Sequence, residues 1–132
     1  PAAAIPVGEQ QRGMAIDNRG ELYYVDLDAD RIRVIDPQSM QGRSIGSPGS
    51  GPGQLNDPCD VAVDAKRNVY VADTGNDRIQ KFGPDGTLLF GFGGPGSGPG
   101  LFQSPQGVAI IESGQIVVAD TGNDRVQVFQ QF

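Results

Sequence analysis

Three aspartate–arginine pairs recur in this chain at a constant spacing of 47 residues: Asp26 with Arg31, Asp73 with Arg78, and Asp120 with Arg125. A carboxylate and a guanidinium placed on either side of a turn can accept hydrogen bonds from its amides and pair with each other. Chemistry on a substrate is a poor account of them. A reaction needs its groups once, and these occur in every unit, so they read as a network that stabilises each unit. The runs Asp73-Thr74-Gly75-Asn76-Asp77 and Asp120-Thr121-Gly122-Asn123-Asp124 carry oxygen ligands in the manner of a calcium loop. The full twelve-residue pattern and its terminal glutamate are missing, however. Asp17, Asp60 and Asp64 are further candidate carboxylates, although turns and strand ends explain them equally well. The Gly-Pro-Gly loops match neither a Walker loop nor a dinucleotide fingerprint, since no Gly-Lys-Ser/Thr and no helix follow them.

Composition narrows the chemistry further. The 132 residues contain no histidine, which removes the commonest general base and metal ligand. Cys59 is the only cysteine, so no internal disulfide and no thiolate cluster forms; it reads as a small, partly buried filler. With 10 basic residues against 16 acidic ones, and no basic run, nucleic acid is a poor partner. No apolar run approaches a membrane span, and no signal peptide is visible. The chain starts at Pro1, which reads as a processed form or an excised fragment. No cofactor and no metal is expected.

The elements that must position these residues are strands. In the second unit, Asp60–Asp64, Asn68–Asp73, Arg78–Phe82 and Thr87–Phe92 are short β-rich runs, separated by turn signals such as Gly83-Pro84-Asp85-Gly86. The unit reads as a four-stranded antiparallel meander with no helical periodicity. The first unit repeats it with Gly13–Asp17, Glu21–Asp26 and Arg31–Ile35, and has a weak fourth strand around Arg43–Ile45. The third has Gly107–Ile111, Gln115–Asp120 and Arg125–Phe129, with no fourth strand between there and Phe132. Glycine- and proline-rich loops over 46–55 and 93–102 join the units. The expected fold is all-β, with units at about 8–46, 55–93 and 102–132.

The segments Pro58–Asp64 and Val69–Phe82, Pro105–Ile110 and Val117–Phe129, and more loosely Gly13–Ile35, resemble the NHL repeat family. The resemblance implies a β-propeller, usually six-bladed, with one four-stranded blade per repeat. The first unit departs from the pattern, with Leu27-Asp28-Ala29-Asp30 in place of the Gly-Asn turn. The resemblance also admits metal-dependent lyases, which use histidine ligands that this chain lacks, and RNA binding through a basic face that this chain does not show. Its extracellular bacterial members lean the localisation towards an extracellular or periplasmic site.

Three units leave a propeller unclosed, since each blade packs only on its neighbours and the ring must meet itself. The expectation is therefore a homodimeric six-bladed ring, with residues 2–7 of a partner chain supplying the missing outer strand beside Arg125–Phe129; a fragment of a longer protein is the rival. One face of such a ring would gather the second-to-third strand turns and the joining loops, with Asp28, Asp30, Asp77 and Asp124 as a candidate binding face for a basic peptide or protein. The opposite face would carry Arg19, Lys66 and Arg67. On this reading the protein is a non-catalytic protein- or peptide-binding scaffold and not an enzyme. The alternatives are a piece of a longer NHL protein or a metal-dependent propeller lyase or hydrolase.

Overall fold

The computed structural model describes residues 12–131. The first sheet comprises β1 (Met14–Ile16), β2 (Leu22–Asp26), β3 (Arg31–Ile35) and β4 (Gly42–Ile45), each paired antiparallel with the next. A joining loop follows, carrying the short parallel pair β5 (Ser47–Pro48) and β6 (Gln54–Leu55). The second sheet comprises β7 (Asp60–Val63), β8 (Val69–Asp73), β9 (Arg78–Phe82) and β10 (Leu88–Gly93). The third comprises β11 (Gly107–Ile110), β12 (Ile116–Asp120) and β13 (Arg125–Phe129), with no fourth strand among the described residues. Residues 2–7, expected to furnish that strand in a partner, lie outside the described residues.

Local chemistry sets each turn. Between the first two strands of every sheet, one residue takes a left-handed conformation: Gly20 at φ 86°, Arg67 at 67° and Gly114 at 85°. Between the second and third strands a single turn of 3₁₀ helix intervenes, over Leu27–Ala29, Thr74–Asn76 and Thr121–Asn123. Each ends on a left-handed aspartate, Asp30, Asp77 or Asp124, at φ 48°, 52° and 53°. Aspartate tolerates that conformation better than most residues with a side chain. Gly93 shows a stricter demand: at φ 106°, a Cβ there would lie 2.4 Å from the Phe102 ring.

Alternation along the strands gives every sheet two apolar faces, and the faces of neighbouring sheets close on each other. Tyr23, Val25, Ile32 and Val34 of the first sheet pack against Val61, Val69, Val71 and Phe82 of the second. Ala62, Tyr70, Ala72 and Ile79, on the other face of the second sheet, pack against Val108, Ile116 and Val118 of the third. The first strands are the ones that meet across both seams, β1 with β7 and β7 with β11, so the sheets converge along those strands.

Two faces stay open. Ile79 is fully buried, whereas Val126, its equivalent in the third sheet, is 64% exposed. Val61 is 2% exposed, whereas Met14, its equivalent in the first sheet, is 57% exposed. These faces are the two unlike halves of one seam type, a presenting face on the third sheet and a receiving face on the first.

Candidate functional site

The turn carboxylates of the second and third units are fully buried and saturated with donors. Asp73 Oδ1 accepts the Asn56 amide at 2.8 Å. Its Oδ2 accepts Arg78 Nε at 2.7 Å, Asn76 Nδ2 at 3.0 Å and Gln80 Nε2 at 3.2 Å. Asp120 repeats this with the Gln103 amide, Arg125, Asn123 and Gln127. Burial pushes the Asp120 carboxyl up, but these hydrogen bonds outweigh it and hold its pKa below the ordinary value. The arginines then reach out to the preceding joining loop: Arg78 donates to the Gly51 and Gln54 carbonyls, and Arg125 to those of Gly98 and Leu101. Each network thus ties a sheet to its incoming loop, which is a structural role.

The first unit differs. Asp26 and Arg31 face each other in register, but Arg33 Nε donates to Asp26 Oδ2 at 2.9 Å, and Arg31 Nε is buried without a hydrogen-bond partner. Arg33 stands where Gln80 and Gln127 stand, and its longer, charged side chain takes the carboxylate. Sequence reasoning passed over Gln80 and Gln127, although the repeated Arg-x-Gln spacing was there to be read.

The residues of the candidate acidic face do not act together. Asp30 Oδ1 accepts the Asp57 amide at 2.9 Å, and Asp77 Oδ1 accepts the Ser104 amide at 2.8 Å, so each latches its sheet to the segment leading into the next. Asp28 and Asp124 are exposed.

Asp17, Asp60 and Asp64 are separated as well. Asp17 and Asp64 sit in the β1–β2 and β7–β8 turns and bind their own turn amides. Arg67 reaches across the seam to Asp17, its Nε donating to Oδ2 at 3.0 Å. Burial raises the Asp17 carboxyl, but the bonds from Arg67, Tyr23 and the turn amides bring its pKa down to about 2.

Asp60 alone lies where the first strands converge. It opens β7, half-buried, with Gly13 and Gly107 at the equivalent places in the neighbouring sheets. Its Oδ1 accepts the Val61 amide at 2.9 Å and its Oδ2 accepts the Val108 amide of β11 at 3.0 Å. No cation pairs with it among the described residues. Desolvation raises its pKa despite the two amide bonds. The glycine at position 13 leaves room for it, since a Cβ there would collide with the carboxylate.

Among the described residues no group of three or more histidine, cysteine, aspartate or glutamate side chains converges, so these residues by themselves do not make up the metal centre of a propeller lyase or hydrolase.

No curated protein matches the chain. Solved structures do. A streptogramin B lyase aligns at 18% identity over 96% of this chain and 39% of its own, with a TM-score of 0.72. A luciferin-regenerating enzyme aligns at 17% identity over 91% of this chain and 45% of its own, with a TM-score of 0.66. A gluconolactonase from Xanthomonas campestris aligns at 16% identity over 86% of this chain and 36% of its own, with a TM-score of 0.65. The chain therefore spans less than half the length of these structures, and it is a partial propeller. These three neighbours are named as enzymes, which overturns the expectation of a non-catalytic, protein-binding scaffold that is not an enzyme. Residues 55–82 and 102–129 match the NHL repeat, so two of the three units are NHL repeats, as the sequence pattern led us to expect.

Proposed function

We propose that the chain is a sector of a propeller enzyme of the lyase or hydrolase kind. Its reaction centre lies where β1, β7 and β11 converge, and Asp60 is the carboxylate this sector brings to it. The observation that carries the reading is the state of Asp60: half-buried, without a cation, and with its pKa raised by desolvation. A carboxylate whose pKa is raised is a stronger base than an ordinary one and so better suited to accepting a proton. The names of the fold neighbours support the reaction class, and the gluconolactonase makes a lactone the first substrate to offer. A lactone is opened by water, and Asp60 in its ionised form would take the proton from that water.

The sector is completed to six blades by a second copy. The presenting face of the third sheet covers the receiving face of the first in its partner, and residues 2–7 of each chain add a strand beside Arg125–Phe129 of the other. The complementary open faces support this assembly.

Lactone opening, followed by acid release in a weakly buffered solution, tests the catalytic reading. Asp60→Asn should lower the rate by about 100-fold or more while leaving the circular dichroism spectrum unchanged. A folded variant that keeps the full rate would remove Asp60 from the chemistry.

A further inference from the structure

The two seams are built from equivalent positions 47 residues apart, yet they are closed differently. At the first seam, Asp17 Oδ1 accepts the Arg19 and Glu21 amides at 2.9 and 3.0 Å, and Oδ2 accepts the Tyr23 hydroxyl at 2.9 Å. The next sheet supplies the remaining partner, as Arg67 Nε donates to Oδ2 at 3.0 Å and a terminal nitrogen of the same guanidinium reaches Glu21.

At the second seam the acceptor side is reproduced. Asp64 stands for Asp17 and Tyr70 for Tyr23. Asp64 Oδ1 accepts the Lys66 and Asn68 amides, both at 2.9 Å, and Oδ2 accepts the Tyr70 hydroxyl at 2.9 Å. The cationic donor from the next sheet is not reproduced, and the Asn68 side chain of the same sheet donates to Oδ2 instead, at 3.1 Å. Gly114 stands where Arg67 stands, in the same left-handed conformation, and a Cβ on it would meet nothing within 4 Å. Part of the guanidinium's place is taken by Gln131, whose Nε2 donates to the Gly114 carbonyl and whose Oε1 accepts the Tyr70 hydroxyl at 3.1 Å; beside it lies an open cavity of about 470 Å³, lined by Asp64, Asn68, Lys81, Ile110, Gly114 and Gln131.

The charges around this cavity leave the Asp64 carboxylate uncompensated at close range. Desolvation opposes its ionisation, but hydrogen bonds from Asn68, Tyr70 and Lys66 outweigh it and lower its pKa. Lys81 Nζ is held at 3.0 Å from Gln131 Oε1 and lies over the Tyr70 and Phe90 rings, 5.3 and 5.2 Å from their centroids. Lys66 and Glu112 line the cavity from exposed positions. Among the described residues no ion pair includes Asp64, whereas Asp17 makes one.

We propose that this cavity binds a small ligand bearing a guanidinium group, whose planar cation docks on Asp64 as Arg67 docks on Asp17, with its aliphatic stem along Ile110. The guanidinium offers several in-plane donors to a carboxylate, whereas an ammonium offers a point charge, so the site discriminates between them. The Asn68 amide, 3.1 Å from Asp64 Oδ2, shares the carboxylate or turns aside. This inference is independent of the catalytic role given to Asp60.

Calorimetric titration of the whole chain with agmatine, and with cadaverine as the ammonium counterpart, tests it. Agmatine should bind saturably with a dissociation constant in the low millimolar range or tighter, and cadaverine at least ten-fold more weakly. Asp64→Asn should weaken agmatine binding at least ten-fold. Gly114→Arg places a tethered guanidinium in the cavity and should abolish binding while raising the melting temperature; this variant keeps the test decisive if Asp64→Asn fails to fold. A capped Gly-Arg-Gly peptide separates the two sources of the group. Tighter binding of the peptide assigns the site to an arginine side chain of a protein, and tighter binding of agmatine assigns it to a free small molecule. Absence of saturable binding at 50-fold above the millimolar range, equal affinity for cadaverine, or binding that survives Gly114→Arg overturns the proposal.

Discussion

Asp17 is a carboxylate whose neighbours decide its charge. Its folded pKa of about 2 lies below the ordinary value of 3.8, so folding favours the ionised form. The stability it contributes is fully present above about pH 4 and is lost as the pH falls through 2. Arg67 is the strongest of the lowering partners. Melting temperatures measured between pH 5 and pH 2 at constant ionic strength should therefore fall less steeply in Arg67→Ala than in the parent chain. An identical slope would mean that the cross-seam bond does not control this titration. Little of this was legible in the sequence. Asp17 was visible as a turn carboxylate, but its partner lies 50 residues away on the next sheet, and no local pattern encodes that. The same holds for Arg33, whose capture of Asp26 is a matter of side-chain reach that the repeat spacing does not encode. The desolvation of Asp60 arises from the approach of two neighbouring strands, and the sequence showed only a carboxylate before an apolar run.

At the scale of elements, one glycine of a joining loop and one of a hairpin turn separate two kinds of demand. Gly93 combines φ 106° with a Phe102 ring 2.4 Å from where a Cβ would sit, and Gly114 has φ 85° with open space around it. Gly114→Ala should cost about 1 kcal/mol, from backbone conformation alone. Gly93→Ala should cost about 2–4 kcal/mol, because a steric clash in the second seam adds to the backbone strain. Urea denaturation of both variants measures the difference, and equal costs would show that the loop moves aside freely. The strands themselves were readable from alternation and turn residues, because each hairpin is local. The parallel pairing of Ser47–Pro48 with Gln54–Leu55 was not, since a glycine- and proline-rich loop carries no alternation. Its order comes instead from donors on the following sheet, such as Gln80 Nε2, which bonds the Gln54 carbonyl at 2.7 Å.

For the whole molecule, the open faces are the controlling feature. Val126 and Val128 are 64% and 56% exposed, so replacing both with lysine should change the stability of the separate chain by no more than about 0.5 kcal/mol per site. The same change would bury charge in an assembled ring. Sedimentation at micromolar concentration should therefore give twice 13.9 kDa for the parent chain and a single chain for the double variant. A parent chain that sediments singly, or a double variant that still pairs, would exclude closure by a second copy through this face. The repeat made the architecture legible at once, because a period of 47 residues is a statement about packing as well as sequence. What covers the end faces is not encoded in the period, since every unit carries the same two faces whether or not a neighbour is there.

The aspartate latch has one more consequence. Asp30 and Asp77 each hold an amide of the segment leading into the next sheet, and Asp124 has the same backbone conformation and is exposed. Every junction is made the same way and points the same way, so the array has a polarity, with a hook at its leading end. A further unit spliced in frame after residue 93 would find one hook behind it and offer another ahead. Such an array can lengthen by tandem duplication without inventing a new contact, and its copy number is free to drift until a ring closes.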